Sequence, residues 1–394
     1  MSEATYIVGD VFDVMATLPD SSVDLVLTSP PFLALRSYLP ADHPDKGKEI
    51  GSEPTPAEFI DTLLALTAEW ERVLAPHGSI CVELGDTYAG GGNGPDARNA
   101  GADHESNAAE RWTGTRNGWP MDKSLTGTPT LYAWSLAYGR NLLTGEPSPA
   151  GQWRIRNVVA WVRPNPPVGA LGDKFRPGTS YITVACKARD RWFDLDDVRT
   201  EHQYPDRLND PVHPAHVGGG MMQEHDIAHR GNPAGAPPLD WWQVSTEPYS
   251  GSHYATWPRK LLERPIRAMC PSEVCRTCGE PRRRIVGEAE YVTSASYRGG
   301  VMVADAERTG DGVNQWKGEG GAQASVIRQA PTLGWTDCGH DDFRRGVVLD
   351  PFAGSGTTLA VATGLGRDAI GIDIDKRNLD LAYERVGMFL KETT

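Results

Sequence analysis

Nothing in this chain of 394 residues approaches the run of ~20 apolar residues that a membrane-spanning helix requires, although hydrophobic residues make up 39% of it. The opening Met-Ser-Glu-Ala-Thr has neither the basic nor the apolar stretch of a secretory leader, so a cytoplasmic protein is expected. Six cysteines are too few to frame a fold of this length with disulfides. Cys81 and Cys186 sit inside apolar runs and read as buried thiols, while the other four fall between 270 and 338. Positive charge is also short. Lys and Arg number 39 against 52 acids, a net charge of −13, which excludes a protein that coats nucleic acid without regard to sequence. A local basic face remains open, through Arg154, Arg156 and Arg163, and through Arg264, Arg267, Arg276 and Arg282 to Arg284.

Seven short apolar runs have the composition of strands buried on both faces. They are residues 6–8, 23–27, 79–84, 158–162, 181–185, 347–349 and 369–372. Helical patterns lie at 56–74 and 378–390, and alternating strands and helices predict a doubly wound α/β domain. Three stretches do not fit that core: 89–130, which reads as a long mobile loop, 202–238, dense in Pro, Gly and His, and 288–330.

Gly346 to Thr358 has the layout of a strand, a turn containing Gly354 and Gly356, and a helix opening near Thr357. Glycine lets backbone approach a ligand closely, and a helix N-terminus favours an anionic group. A second strand ends at Asp373, about 20 residues on, where an acid can accept both hydroxyls of a ribose. These features together predict a nucleoside site. The third glycine of a dinucleotide fingerprint is replaced by Leu359.

Near the other end of the chain, Ser29-Pro30-Pro31-Phe32 follows the strand that closes at Thr28, where open α/β sheets place their ligands. Two prolines remove N–H donors and stiffen the turn, leaving carbonyls to face a pocket. An aromatic amino group is a poor nucleophile because its lone pair is delocalised. If the Ser29 hydroxyl and the Pro30 carbonyl each accept one of its N–H groups, the nitrogen can become tetrahedral and expose that lone pair. Phe32 would stack on the ring.

Thr28 to Phe32 and Asp350 to Thr358, in that order, resemble the permuted class of site-specific DNA amino-methyltransferases, which act on cytosine N4 or adenine N6. Gly9-Asp10 with Leu18 to Asp24, and His253 to Pro258, resemble two further segments of that family. The resemblance implies a seven-stranded, Rossmann-like S-adenosylmethionine-dependent sheet carrying an inserted recognition region and a zinc-knuckle insertion. Catalysis would fall to Ser29, Pro30, Pro31 and Phe32. Contacts to S-adenosylmethionine would come from Asp10, Thr28 and Thr256 on one side. Asp350, Phe352, Gly354, Gly356, Thr357 and Asp373 would supply the rest. Residues 1–192 would form the catalytic half, 193–245 the target-recognition region, and 246–394 the cofactor half with an insertion at 270–345. The expected partner is double-stranded DNA, in the cytoplasm of a bacterium or a phage-infected host, with monomer and dimer both open. Serine at 29 favours cytosine N4, with adenine N6 as the alternative. A carbon-methylating enzyme would need a Pro-Cys pair, and the sequence has none.

Cys275-x-x-Cys278 has knuckle spacing, and Cys338-Gly339-His340 lies far downstream, so three thiolates and one imidazole could close a structural zinc site. Cys270 is an alternative fourth ligand. A zinc-stabilised DNA-binding protein without catalysis is the competing reading from another class, and the intact Ser29 and Gly354/Gly356 motifs argue against it.

Overall fold

The computed structural model describes residues 2–35, 37–90, 117–166, 173–200, 235–247, 257–287, 290–295, 316–317, 323–329 and 331–393. Chain contacts separate two units, Met1–Phe193 with Asp240–Pro281 and Cys338–Thr394, and Asp194–Leu239 with Arg282–Asp337.

The first unit is built on one sheet of nine strands: β1 (Ala4–Val8), β2 (Val23–Thr28), β3 (Leu74–Leu84), β4 (Arg154–Val162), β5 (Thr179–Cys186), β6 (Trp241–Gln243), β7 (Val347–Asp350), β8 (Asp368–Asp373) and β9 (Leu390–Thr393). Their spatial order is β9-β1-β8-β7-β2-β3-β5-β4-β6. Neighbours pair in parallel except β5, which runs antiparallel to both β3 and β4. All seven apolar runs are strands of this sheet. The expected count of seven is exceeded by β6 and β9, edge strands of three and four residues with no apolar run. An edge strand needs only a backbone ladder to one neighbour, which leaves little trace in side-chain pattern.

All six residues of β2 are buried, and Leu25 and Val26 pair with Val348 and Leu349 of β7, so the first and last parts of the chain lie side by side. Helix α1 (Val11–Met15) follows β1, and α2 (Pro56–Val73) precedes β3. Thr55 caps α2 by accepting the Glu58 N–H at 3.2 Å, and Pro56 at the first turn sacrifices no hydrogen bond. The buried face of α2, with Phe59, Ile60, Leu63, Leu64 and Trp70, packs with Val26, Ile80 and Val82 and with Tyr132 of α3 (Thr128–Tyr138). Truncating one such core side chain to alanine costs about 2–5 kcal/mol. Leu25 and Leu27, also fully buried, lie outside that cluster. There α4 (Arg259–Met269) packs on β2 and β3 and against α5 (Thr357–Gly364), while α6 (Arg377–Val386) packs on α5 and β1.

Asp24, at the start of β2, has a fully buried side chain. It accepts hydrogen bonds from Arg344 at 2.5 and 3.0 Å and from the Val347 N–H at 2.7 Å, and pairs with His77 at 2.9 Å. Burial alone would raise its carboxyl, but the bonds from His77 and Arg344 hold it below the usual carboxylate value.

In the second unit, Arg284–Val286 pairs antiparallel with Thr332–Trp335, and Gln323–Gln329 lies between Glu290–Ala295 and Trp316–Lys317 in a three-stranded sheet. Arg284 holds Asp194 through two hydrogen bonds of 3.1 and 3.2 Å. The stretch read as a loop from 89 to 130 ends three residues early, because α3 begins at Thr128. Its residues 91–116, and residues 201–234 of the stretch expected to form the recognition region, lie outside the described residues.

Candidate active site

A cleft of about 770 Å³ opens at the carboxyl ends of β1, β2, β7 and β8, and both motifs line it. Thr28 and Asp350 end adjacent strands, and the Thr28 hydroxyl donates to Asp350 Oδ1 at 2.7 Å across 322 positions of sequence. Asp350 also accepts from the Phe352 N–H at 3.1 Å and from the Thr358 hydroxyl at 2.5 Å. Its carboxylate therefore pins the strand end, the turn and the first residues of α5 together. Burial raises this carboxyl, and those three bonds oppose the rise.

Beyond Asp350 the chain makes the glycine turn. The Gly354 N–H donates to Asp373 Oδ2 at 2.8 Å, and Tyr6 donates its hydroxyl to the Gly354 carbonyl at 2.8 Å. Gly356 has φ of 75°, and an added Cβ would lie 3.0 Å from the Ala382 Cβ, so this position needs glycine for both backbone and packing. The second oxygen of Asp373 accepts from the Asp375 N–H at 2.8 Å and the Asn378 amide at 3.1 Å. Burial, helped by the charge of Asp375, pushes the Asp373 carboxyl up to about 6 against those hydrogen bonds. Asp10, at the end of β1, also lines the cleft and caps α1, accepting from Phe12 and Asp13 at 3.1 and 3.2 Å.

On the other wall stand Ser29, Pro30, Pro31 and Phe32. The Phe32 ring lies against the backbone of Gly85, where any Cβ would come within 2.6 Å of it. The Ser29 hydroxyl donates to Glu83 Oε2 at 2.6 Å. Glu83 is only 3% exposed, and burial raises its carboxyl, while the Ser180 and Ser29 hydroxyls and the charge of Arg163 pull the other way. Sequence reasoning missed Glu83. Its one signal was an acid inside an apolar strand run, Val82-Glu83-Leu84, at the end of the strand nearest the ligand side. Lys48 and Arg176, also not singled out, line the cleft as well, as do Trp161 and Arg163 at the end of β4, a stretch that resembles the family's strand beside the catalytic pocket.

The structure thus brings Asp10, Ser29, Pro30, Pro31, Phe32, Asp350, Phe352, Gly354, Thr357 and Asp373 to one cavity. Thr28 and Gly356 are buried and lie behind its wall. Thr256 is outside the described residues, and its neighbour Trp257 lines the cleft.

Away from the cleft, Cys275, Cys278, Cys338 and His340 place their ligand atoms within 4.8 Å of one another. Cys270 is not part of this group. It is fully buried, with its thiol 3.8 Å from the Pro271 carbonyl.

A family model described as DNA methylase, N6_N4_Mtase, matches residues 23–274 and 342–384, well over half of the chain. The type II methyltransferase M.SmaI of Serratia marcescens is 23% identical over 386 residues, covering 96% of this chain and 89% of the relative. M.Cfr9I of Citrobacter freundii, also a type II methyltransferase, is 26% identical over 265 residues, covering 66% and 71%. Among solved structures, the PvuII DNA methyltransferase (cytosine-N4-specific) aligns over 98% of this chain and 86% of its own, with 14% identity and a TM-score of 0.48. By the extent of the family match, this chain belongs to the N6/N4 DNA methylase family.

Proposed function

We propose that the chain methylates the exocyclic amino group of a base flipped out of double-stranded DNA, using S-adenosylmethionine, with cytosine N4 the favoured target. The observation that carries this is the 2.7 Å hydrogen bond from Thr28 to Asp350, which sets the amino-gripping turn and the nucleoside turn on two walls of one cleft. A volume of about 770 Å³ is of the size that holds a nucleoside cofactor with a base beside it.

The residues present suit the cofactor. Asp373 lines the cleft and accepts from the Asp375 N–H and the Asn378 amide on Oδ1 but only from the Gly354 N–H on Oδ2, which leaves acceptor capacity on Oδ2 for a ribose hydroxyl. Phe352 and Asp10 would flank the adenine ring, and the N-terminus of α5 at Thr357 favours an anionic group. Bound there, S-adenosylmethionine supplies an electrophilic methyl group on a sulfonium. The chain contributes the rest. Ser29 Oγ and the Pro30 carbonyl accept the two amino hydrogens, which turns the nitrogen lone pair toward the methyl. Because the Ser29 proton is already directed at Glu83, the serine oxygen keeps its lone pairs for the base. The methylated nitrogen carries one proton too many. Ser29 accepts it while passing its own to Glu83, whose raised carboxyl is a better base than an ordinary carboxylate. Phe32 would stack on the base, and proximity accounts for the remainder of the rate without a covalent intermediate. Lys48, Arg163 and Arg176 line the cleft among the carboxylates of Asp10, Glu49, Glu83, Glu247, Asp350 and Asp373, so its basic groups can meet phosphates only singly and not as a positive surface.

Serine at 29 supports cytosine through the resemblance already drawn, and the same geometry would serve adenine N6. The partition into a catalytic half at 1–192, a recognition region at 193–245 and a cofactor half at 246–394 belongs to this reading. So does a structural zinc ion at Cys275, Cys278, Cys338 and His340, none of which lines the cleft. Incubation with tritiated S-adenosylmethionine and mixed-sequence duplex DNA should place label in the DNA, and nucleoside digestion should find it in N4-methylcytosine. Label in N6-methyladenine would select the alternative, and no transfer to any DNA would sink the reading.

A further inference from the structure

We infer that the zinc site is a clasp that closes an insertion foreign to the family and thereby fixes the strand leading to the cofactor turn. This rests on the zinc assignment proposed above. The match to the family stops at 274 and resumes at 342, and all four ligands fall inside that gap, two at each edge. Between Cys278 and Cys338 the chain departs from the first unit and returns to it.

The local geometry is that of a metal knuckle. The Cys278 N–H points at Cys275 Sγ at 3.5 Å, and Gly279 follows with φ of 74° and no atom within 4 Å of an added Cβ. Cys338 Sγ and His340 Nδ1 lie 3.4 Å apart, close to the ~3.6 Å expected between a sulfur and a nitrogen on one tetrahedral zinc. Four donors of this kind make a closed, structural set rather than a catalytic one.

What the clasp holds is the start of β7. Glu273–Cys275 pairs antiparallel with Phe343–Arg345, with Phe343 opposite Cys275 and Arg344 opposite Val274. A further backbone bond joins the Arg276 N–H to the Asp342 carbonyl at 2.9 Å. From this ribbon Arg344 reaches the buried Asp24 of β2, which also takes the Val347 N–H at the first residue of β7. Three residues later comes Asp350, the pin of the glycine turn. Ribbons of three residues are weak on their own. With zinc in place, the register of β7 against β2, and so the position of Asp350 and Gly354, is set before any cofactor arrives.

The test uses the full-length protein with its metal. Zinc content is measured first, and cobalt substitution should give the intense visible bands of tetrahedral cobalt with thiolate ligands. Zinc is then removed with a chelator, and Cys338→Ser and the conservative His340→Cys are made in parallel. The inference expects about one zinc per chain. On its removal, residues 342–350 should lose hydrogen-exchange protection and S-adenosylmethionine binding should weaken roughly tenfold, in the range of ordinary coupling between sites. The pairing of β3 with β5 should stay protected. His340→Cys should keep metal, protection and affinity. Zinc present, but with affinity and 342–350 protection unchanged on its loss, would overturn the clasp and leave the metal site standing. Absence of stoichiometric zinc would overturn both. If Cys338→Ser fails to fold, chelation of the wild-type protein still decides between these outcomes.

Discussion

Acidification should loosen S-adenosylmethionine from this protein while leaving Asp373 a smaller burden on the free fold. The Asp373 carboxyl is pushed from 3.8 to about 6, first by burial and then by the charge of Asp375, despite hydrogen bonds from Asp375, Asn378 and Gly354. Ribose hydroxyls bind the ionised carboxylate as acceptor. Near pH 7.5 nearly all of it is ionised, whereas near pH 5 only about one molecule in ten is, so the apparent Kd should rise roughly tenfold, or about 1.4 kcal/mol. The effect on folding has the opposite sign. A carboxyl whose folded value is raised contributes stability that is fully present below its unfolded value and is lost as pH rises through about 6. Affinity therefore falls with acid over the same window in which this group's penalty on the free protein is relieved. Calorimetric titration with S-adenosylmethionine across this range measures the first trend, and thermal melts without ligand measure the second. Asp350 is also raised by burial, but its oxygens are engaged by Thr28, Thr358 and Phe352. Asp373→Asn separates the two, since it should bind weakly at every pH with no slope. A flat wild-type profile, or the same slope in the asparagine variant, would refute the assignment.

Ser29→Ala should lower turnover by about two orders of magnitude or more with cofactor Kd unchanged, measured by single-turnover label transfer, because it removes an acceptor for the amino group but nothing on the cofactor wall. Glu83→Gln should also cut turnover, about tenfold or more, and should flatten the acid limb of the pH–rate profile; in the wild type that limb should lie above the ordinary glutamate value, as burial dictates. Gly356→Ala should destabilise the fold by about 1–2 kcal/mol in denaturant melts and weaken cofactor binding, since the left-handed backbone and Ala382 both oppose a Cβ. Arg344→Met, which leaves Asp24 charged in the interior with only His77 and the Val347 N–H beside it, should cost about 3–5 kcal/mol by the same measurement.

What the sequence determined by itself was whatever depends on neighbours in the chain. Seven apolar runs became strands because residues such as Val23 to Thr28 are buried on both faces of the sheet and so carry an unbroken apolar pattern. The glycine turn was readable because its backbone requirement is local. The strands β6 and β9 were not, since pairing with one neighbour places little demand on side chains. Only the tertiary structure distinguished the two acids set in apolar strands. Asp24 and Glu83 look alike in sequence, but one opens β2 beside Arg344, His77 and Val347, and the other ends β3 beside Ser29. Spacing leaves Cys270 and His340 equally open beside Cys275, Cys278 and Cys338, whereas in the structure Cys270 is buried apart and His340 groups with the other three. Whether a carboxylate becomes an ion-pair anchor or a base at the cleft depends on charges brought near it by folding, from positions tens to hundreds of residues away.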